Sequence, residues 1–509
     1  MKLIRKTPLK NNLAFQADVK SAVGAHPHYN HVAPVPNAAD FGITPDCGFL
    51  PSELPLQVLP DPYYAKWESI LANLHALILS KRLRLMVDHL PTLSTSNLRT
   101  EAEWRRAYVV LVFILHGYVW GGDRPEERIP PQLTVPLFEV CERLELPPVA
   151  TYAGVCLWNY RPILSDEPAD TLDNLACLQT FTGSLDEQWF YLTSVAMEAR
   201  GAPSIPLMLR AITAARTEDS LVVTECLQRL AETIDEITTL LQRMYDNCDP
   251  YVFYNRIRPY LAGSKNMGDA GLPLGLLYDD GHRPEYRQYG GGSNAQSSLI
   301  QFFDIVLGVE HRPTGTTRSN QEQPSPGDGI KSRNSFIHEM RTYMPGPHRR
   351  FLEQVDSVAN IRSFVQARQG DSALCIAYDA CLAMLRVLRD KHITMVSRYI
   401  ILQSRAGQPS QPASSRPTAT NLATATPADK KKLRGTGGTA LIPFLKQARD
   451  ETGEPAIDSW ARRLLRSGPT DKTFASLSKV GEQPDGQFKV VGLCGTWTAD
   501  ETEGGICHW

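Results

Sequence analysis

The 509-residue chain reads as an all-α protein of two helical domains, a small N-terminal one and a larger C-terminal one. Three observations predict this fold class. Apolar residues recur at three- and four-residue steps along most of the chain, the repeat of a helix face turned towards a core. Long runs that alternate apolar and polar residues, the signature of half-buried strands, are scarce. The length suffices for two or three domains and a large core. The predicted divisions are a lead-in at 1–45, a small helical domain at 46–165 and a large domain at 166–450 with a mobile loop at 404–434. An extension at 451–509 has no assigned role.

Residues 1 to about 45 mix Pro, His, Asn and Ala without periodicity and predict an extended lead-in. The first segment, MKLIRKTPLKNNLAFQ, lacks a continuous apolar stretch and is therefore no secretory signal. It reads as a disordered basic start, with an organellar presequence as the alternative. A helix is predicted from Asp61 to about Leu90, its stripe formed by Trp67, Ile70, Leu74 and Ile78 and resumed at Leu85 after Lys81 and Arg82. A second spans about Leu98 to Val119. Its apolar stretch Ala107–Trp120 has 14 residues, with His116 and Gly117 inside, too short to cross a bilayer and suited to a buried helix. PEERIPPQ is a Pro-bounded turn, and a helix over Leu133–Leu144 ends before Pro147 and Pro148. Residues 161–180 read as a connection, after which the chain is mostly helical to about Gln403. From Ser404 to Arg434 the composition turns to Ser, Pro, Thr, Ala and Gln and then a Lys run, which cannot bury enough apolar area to offset its ordering entropy. GTGGT at 435–439 and a short helix at Leu441–Ala448 follow.

Composition narrows the function. Lys plus Arg is 53 and Asp plus Glu is 55, a formal net charge of -2, so a nucleic-acid partner is not expected. The ten cysteines form no CxxC pair and are too sparse for a secreted disulfide scaffold, which predicts reduced thiols and a cytoplasmic location. HExxH, GxSxG and a GxGxxG following a strand are all missing. Among 12 histidines, only His26, His28 and His31 have metal-like spacing; they lie in the irregular lead-in and read as incidental. A small molecule or cofactor is the expected partner, with no membrane.

Five segments carry candidate chemistry. On the helix predicted from Ala373 to Leu402, His392 shares a stripe with Cys381, Leu385, Leu388, Val396 and Tyr399. A histidine facing an apolar layer can ligate haem iron through a neutral nitrogen, although an ordinary hydrogen-bonded core histidine has the same pattern. In SLDEQWFYLTSVAMEARG, Ser184 and Glu187 have capping-box spacing, and Phe190, Ser194 and Glu198 follow on one face. In DPYVFYNRIRPYLAG, Arg258 stands before Pro259, where a helix ends. Beside Phe253 and Tyr254 it can clamp a carboxylate. Five residues of regular helix would place Phe253 and Arg258 about 140° apart, so both reach one ligand only if the backbone departs from ideal. In YGGGSNAQSSLIQFFDIVLG, Ser293 and Gln296 again have capping-box spacing. Asp304 sits among apolar residues and needs a cationic partner, for which Arg389 is the candidate. The glycines of GTGGT suit a lid or a plain linker.

In order along the chain, LPPVATYAGVCLWNY, RPYLAG, GGGSNAQSSLIQFFDIVLG, MRTYMPGPHRRFL, AYDACLAMLRVLRDKHITMVSRYI and GTGGT resemble the indoleamine 2,3-dioxygenase family from about Phe49 to about Glu451. The resemblance implies an all-helical two-domain fold with haem b, ferrous when active, in the larger domain. It implies His392 as the iron ligand, and Phe190, Ser194 and Tyr152 as distal-pocket residues. Phe253 and Arg258 become the residues that pack the indole and bind its carboxylate, and Gly292, Ser293 and Asn294 the loop above the haem. Asp304 and Arg389 become the acid and base near His392, and Thr436 a substrate contact on the mobile loop. It further implies a monomer that opens the indole of L-tryptophan with O2 to N-formyl-L-kynurenine, using an external electron donor and no side-chain acid or base. That reaction is the first step of the kynurenine pathway to NAD. Asn294, Val155 and Cys156 depart from patterns common in the family. Alternatives are a haem protein that only binds O2, a dioxygenase of another indole and a haem-free interaction protein. An oxygen carrier has no need of Phe253 and Arg258.

Overall fold

Apolar stripes with helical period can be buried only against one another. The computed structural model describes residues 33–167, 170–314, 335–406, 436, 441–466, 489–492 and 495–498. Its longer helices are α1 (Ala65–Ala72), α2 (Glu101–Trp120), α3 (Pro131–Leu144), α4 (Leu185–Gly201), α5 (Ser204–Arg216), α6 (Ser220–Gln242), α7 (Ser298–Leu307), α8 (Gly346–Val358), α9 (Ser372–Val396), α10 (Leu441–Thr452) and α11 (Ser459–Arg466). The chain is all-α in class, as its periodicity predicts. Short strands punctuate it: β1 (Arg128–Ile129), β2 (Tyr160–Pro162), β3 (Leu175–Cys177), β4 (Leu276–Tyr278), β5 (Glu285–Arg287), β6 (Lys489–Gly492) and β7 (Gly495–Thr498). β4 pairs in parallel with β1 and antiparallel with β5, while β2–β3 and β6–β7 are antiparallel pairs. The PEERIPPQ turn and the 161–180 connection thus each contain a short strand.

Helix ends follow local chemistry. The side chains of Thr100, Ser184, Asp219 and Asp371 accept hydrogen bonds from backbone N–H groups in the first turns of α2, α4, α6 and α9. At Ser184 only half of the predicted capping box forms. Glu187 turns instead to the Phe181 and Thr182 amides and the Tyr191 hydroxyl. α2 is buried on every side from Arg106 to Val119, as a helix apolar all round must be. α6 and α9 pack side by side, with α4 and α5 against α6 and α10 against α9. The described residues from Val35 onwards form one compact unit.

Two predicted elements need correction. The stripe of Asp61–Leu90 is three short helices, the last two being Leu74–Leu79 and Leu83–Asp88. Lys81 sits at φ 58, a left-handed conformation that resets the phase. Leu83 and Val87 therefore point inward and Leu85 is exposed. Ser293 caps only the short 3-10 turn Asn294–Gln296, and Ser297 caps α7. Residues 404–406 are helical, and the predicted mobile loop from 407 to 434 lies outside the described residues, as do His26, His28 and His31. No helix among the described residues is long and apolar enough to cross a membrane.

Three stretches wind as π-helix: Ala153–Leu157, Phe253–Ile257 and Ser397–Leu402. Each contributes side chains to the same cavity.

Candidate active site

The cavity encloses about 1080 Å3 of non-atom space, open solvent at its mouth included, and its exposed lining is mostly apolar. α9 supplies His392, Met395 and Val396, and the π-helical stretch continuing it supplies Tyr399 and Ile400. α4 supplies Phe190, and the stretch around Ala153–Leu157 supplies Tyr152, Val155 and Cys156. Gly292, Ser293 and Asn294 border it from the loop before α7, Thr436 adjoins them, and Leu441, Phe444 and Leu445 of α10 complete the wall. Residues separated by almost 300 positions thus meet at one apolar space.

Phe253 and Arg258 both line it. The π winding resolves the angular difficulty seen in the sequence. The Arg258 N–H donates to the Phe253 carbonyl, five residues back, so one wide turn brings i and i+5 towards the same face. A 3-10 turn, Arg258–Leu261, follows immediately at Pro259. The Phe253 ring lies 4.8 Å from Phe190 and 5.7 Å from Tyr399, forming an aromatic wall. Arg258 lies 5.7 Å over the Tyr254 ring, and burial lowers its pKa, with Tyr254 acting in the opposite direction.

His392 is half-buried and borders the cavity. Burial, reinforced by the charge of Arg389, pushes its imidazole down to a pKa of about 4. It is neutral at physiological pH, and among the described residues neither ring nitrogen has a hydrogen-bond partner. Three residues earlier, Arg389 donates twice to Asp304, at 2.7 Å to each oxygen. Burial raises the Asp304 pKa, but Arg389 and His311 together hold it below the usual carboxylate range.

Ser194 does not line the cavity; it is buried on α4, near Tyr152 and Cys156, whose pKa values it lowers slightly against burial. Thr436 donates through its hydroxyl to the Gly292 carbonyl at 2.6 Å, and its own carbonyl accepts from the Gly291 N–H at 3.0 Å. Four further groups escaped assignment from the sequence. Gln296, read there as a cap, accepts from the Tyr152 N–H and donates to the Gly291 carbonyl, tying two walls together. Glu198 accepts from both Tyr152 and Ser297 at Oε1, while its buried Oε2 has no partner among the described residues. Burial raises Glu198 to a pKa of about 7 against those two hydrogen bonds. His311 bridges Asp304 and Glu451 at 3.0 and 2.9 Å. The signal for Glu198 was present, an acid at i+8 from Phe190 on an apolar face. His311 and Glu451 are 140 residues apart, and no local pattern pairs them.

Residues 37–455 match the indoleamine 2,3-dioxygenase family along most of their length. The chain belongs to that family. It is 39% identical over 451 residues to an indoleamine 2,3-dioxygenase of Penicillium citrinum, covering 86% of this chain and 94% of the relative. To the indoleamine 2,3-dioxygenase of Saccharomyces cerevisiae it is 40% identical over 442 residues, covering 84% and 95%. A 6-hydroxytryptophan 2,3-dioxygenase of Fusarium equiseti is 37% identical over 418 residues, covering 82% and 97%. Indoleamine 2,3-dioxygenases are haem-dependent enzymes acting on an indole with O2. The residues present fit that cofactor. A neutral histidine with an unclaimed ring nitrogen borders a large apolar cavity, the donor and surroundings that haem iron requires. No cluster of His, Cys, Asp or Glu suited to a bare metal ion occurs among the described residues.

Proposed function

We propose that this dioxygenase opens the indole C2=C3 bond of L-tryptophan, adding both atoms of O2 to give N-formyl-L-kynurenine, with haem b held by His392. The convergence of His392, Phe253 and Arg258 on one cavity carries this reading. When bound, the haem supplies the redox chemistry that activates O2. His392 offers a neutral ring nitrogen to it. Arg258 holds the substrate carboxylate, and Phe253 and Phe190 fix the plane of the indole. Leu441 and Phe444 keep water from the reacting ring. No side chain is assigned as acid or base, because the cofactor would supply the chemistry and the protein the orientation and the exclusion of water. The same reading places the protein in the cytoplasm as a monomer, fed by an external electron donor, at the first step of the kynurenine route to NAD.

A ring-hydroxylated tryptophan is the second reading. Asn294 puts an amide on the cavity wall, and the Fusarium relative carries such a substrate in its name.

The test incubates haem-loaded protein with L-tryptophan, a reductant and air, and follows N-formylkynurenine by absorbance beside His392→Ala. Product from the wild type alone is expected. A normal haem spectrum with reversible O2 binding and no product would favour an oxygen-binding protein. A higher kcat/KM for 6-hydroxytryptophan would favour the second reading.

A further inference from the structure

α2 contributes no side chain to the cavity wall, yet one of its residues bonds to two of the walls. His116, only 3% exposed, lies towards the C-terminal end of the buried stretch of this helix. The Ala150 N–H, which can only donate, reaches its Nε2 at 2.9 Å. Nε2 therefore accepts, and the ring proton sits on Nδ1, which lies 2.6 Å from the Tyr260 carbonyl. Both ring nitrogens are thus committed, in one tautomer. Burial, opposed by the bond to Tyr260, lowers the imidazole to a pKa of about 4 and keeps that neutral tautomer in place at physiological pH.

The two partners are not arbitrary pieces of backbone. Ala150 is two residues before Tyr152, which lines the cavity, and Tyr260 is two residues after Arg258, in the same 3-10 turn. One helical turn beyond His116, the Trp120 Nε1 donates to the Ala262 carbonyl at 3.0 Å, so α2 grips that turn twice. The Tyr260 ring is stacked on Phe181 at 4.9 Å, and Phe181 on Phe113 of α2 at 4.5 Å. A carbonyl so placed fixes where the Pro259 turn ends, and with it the direction in which Arg258 leaves the backbone.

We propose that His116 is a positioning residue for carboxylate recognition, its imidazole holding the Arg258 turn in register with the wall that carries Tyr152. This rests on the reading of Arg258 as the carboxylate clamp. A histidine that merely fills the core would support every substrate equally. A histidine that aims Arg258 supports only substrates with a carboxylate.

Side-chain geometry separates the two bonds. In Asn the amide nitrogen falls near the place of Nδ1, so His116→Asn keeps a donor towards Tyr260. In Gln the terminal oxygen falls near the place of Nε2, so His116→Gln keeps the acceptor for Ala150. His116→Leu keeps neither. The experiment measures KM and kcat for L-tryptophan and for tryptamine, its decarboxylated analogue, in the haem-loaded wild type, the three variants and Arg258→Leu. Calorimetric Kd values for both ligands and the melting temperature of each protein accompany them. The expected result is a rise of roughly ten- to a hundredfold in KM and Kd for tryptophan in His116→Leu and His116→Gln. Tryptamine is unmoved in both, kcat stays within about twofold, and His116→Asn recovers most of the loss. If the wild type does not prefer tryptophan to tryptamine, or Arg258→Leu keeps the preference, the clamp reading fails and this proposal falls with it. If that preference depends on Arg258 but survives in all three His116 variants, or if both ligands weaken together, the proposal alone is overturned. Should His116→Leu not fold, the opposite behaviour expected of Asn and Gln still decides.

Discussion

At the scale of single residues, two groups in the site make testable claims. Arg258 is buried beside an aromatic ring, and a charge-assisted bond from it to a ligand contributes about 1.5–3 kcal/mol. Arg258→Leu is therefore expected to raise the Michaelis constant for tryptophan roughly ten- to a hundredfold, measured by steady-state kinetics. An unchanged constant would remove Arg258 from the mechanism. Glu198 makes the opposite kind of claim, about protons. Its folded pKa of about 7 lies above the ordinary 4.5, so the folded state holds a proton that the unfolded chain has released. That contribution is complete below pH 4.5 and is lost as pH rises to about 7. The isosteric Glu198→Gln cannot ionise. Wild-type stability relative to this variant is expected to fall by about 1.4 kcal/mol per pH unit across that window and to stay level above it. Urea unfolding at several pH values measures the difference, and a flat difference would mean that the carboxyl is ionised throughout.

At the scale of elements, much was legible because helix stripes and caps are local. The stripe through Cys381, Leu385 and Leu388 continues to His392, and Thr100, Ser184 and Asp371 start helices within a few residues of the predicted points. What escaped prediction depended on phase. One left-handed residue at Lys81 exchanged Leu85 for Leu83 and Val87 in the core. The π winding at Phe253–Ile257 brought together two residues that regular helix would separate. Nothing in the residue types announces either departure, since both are settled by packing against distant elements. The approach of the 290–292 loop to the end of the Arg258 turn is equally non-local. A Cβ on Gly291 would collide with the Leu261 carbonyl oxygen and the Gly263 amide. Gly291→Ala is expected to destabilise the fold by about 1–3 kcal/mol, as overpacking does. It should also weaken tryptophan binding, because the loop and the turn move apart. Differential unfolding and substrate titration check the two effects together, and loss of neither would show that the backbones separate without consequence.

At the scale of the whole molecule, the cavity is a convergence of segments from Tyr152 to Leu445, and a ligand that fills it couples them all. Haem that binds only the folded chain should stabilise it by about 2.7 kcal/mol at a hundredfold excess over its Kd. The melting temperature should therefore rise with haem for the wild type and much less for His392→Ala. Equal shifts in both would locate the cofactor elsewhere. The span of that convergence also has a consequence for biosynthesis. A nascent chain that has emerged from the ribosome as far as α9 already carries His392, the proposed haem ligand, but lacks Leu441, Phe444 and Leu445 of α10. The cavity wall is complete only when Leu445 has been made, close to the end of the family-matched region. If His392 holds the haem as proposed, cofactor capture would accordingly be a late step of maturation, after α10 has been made.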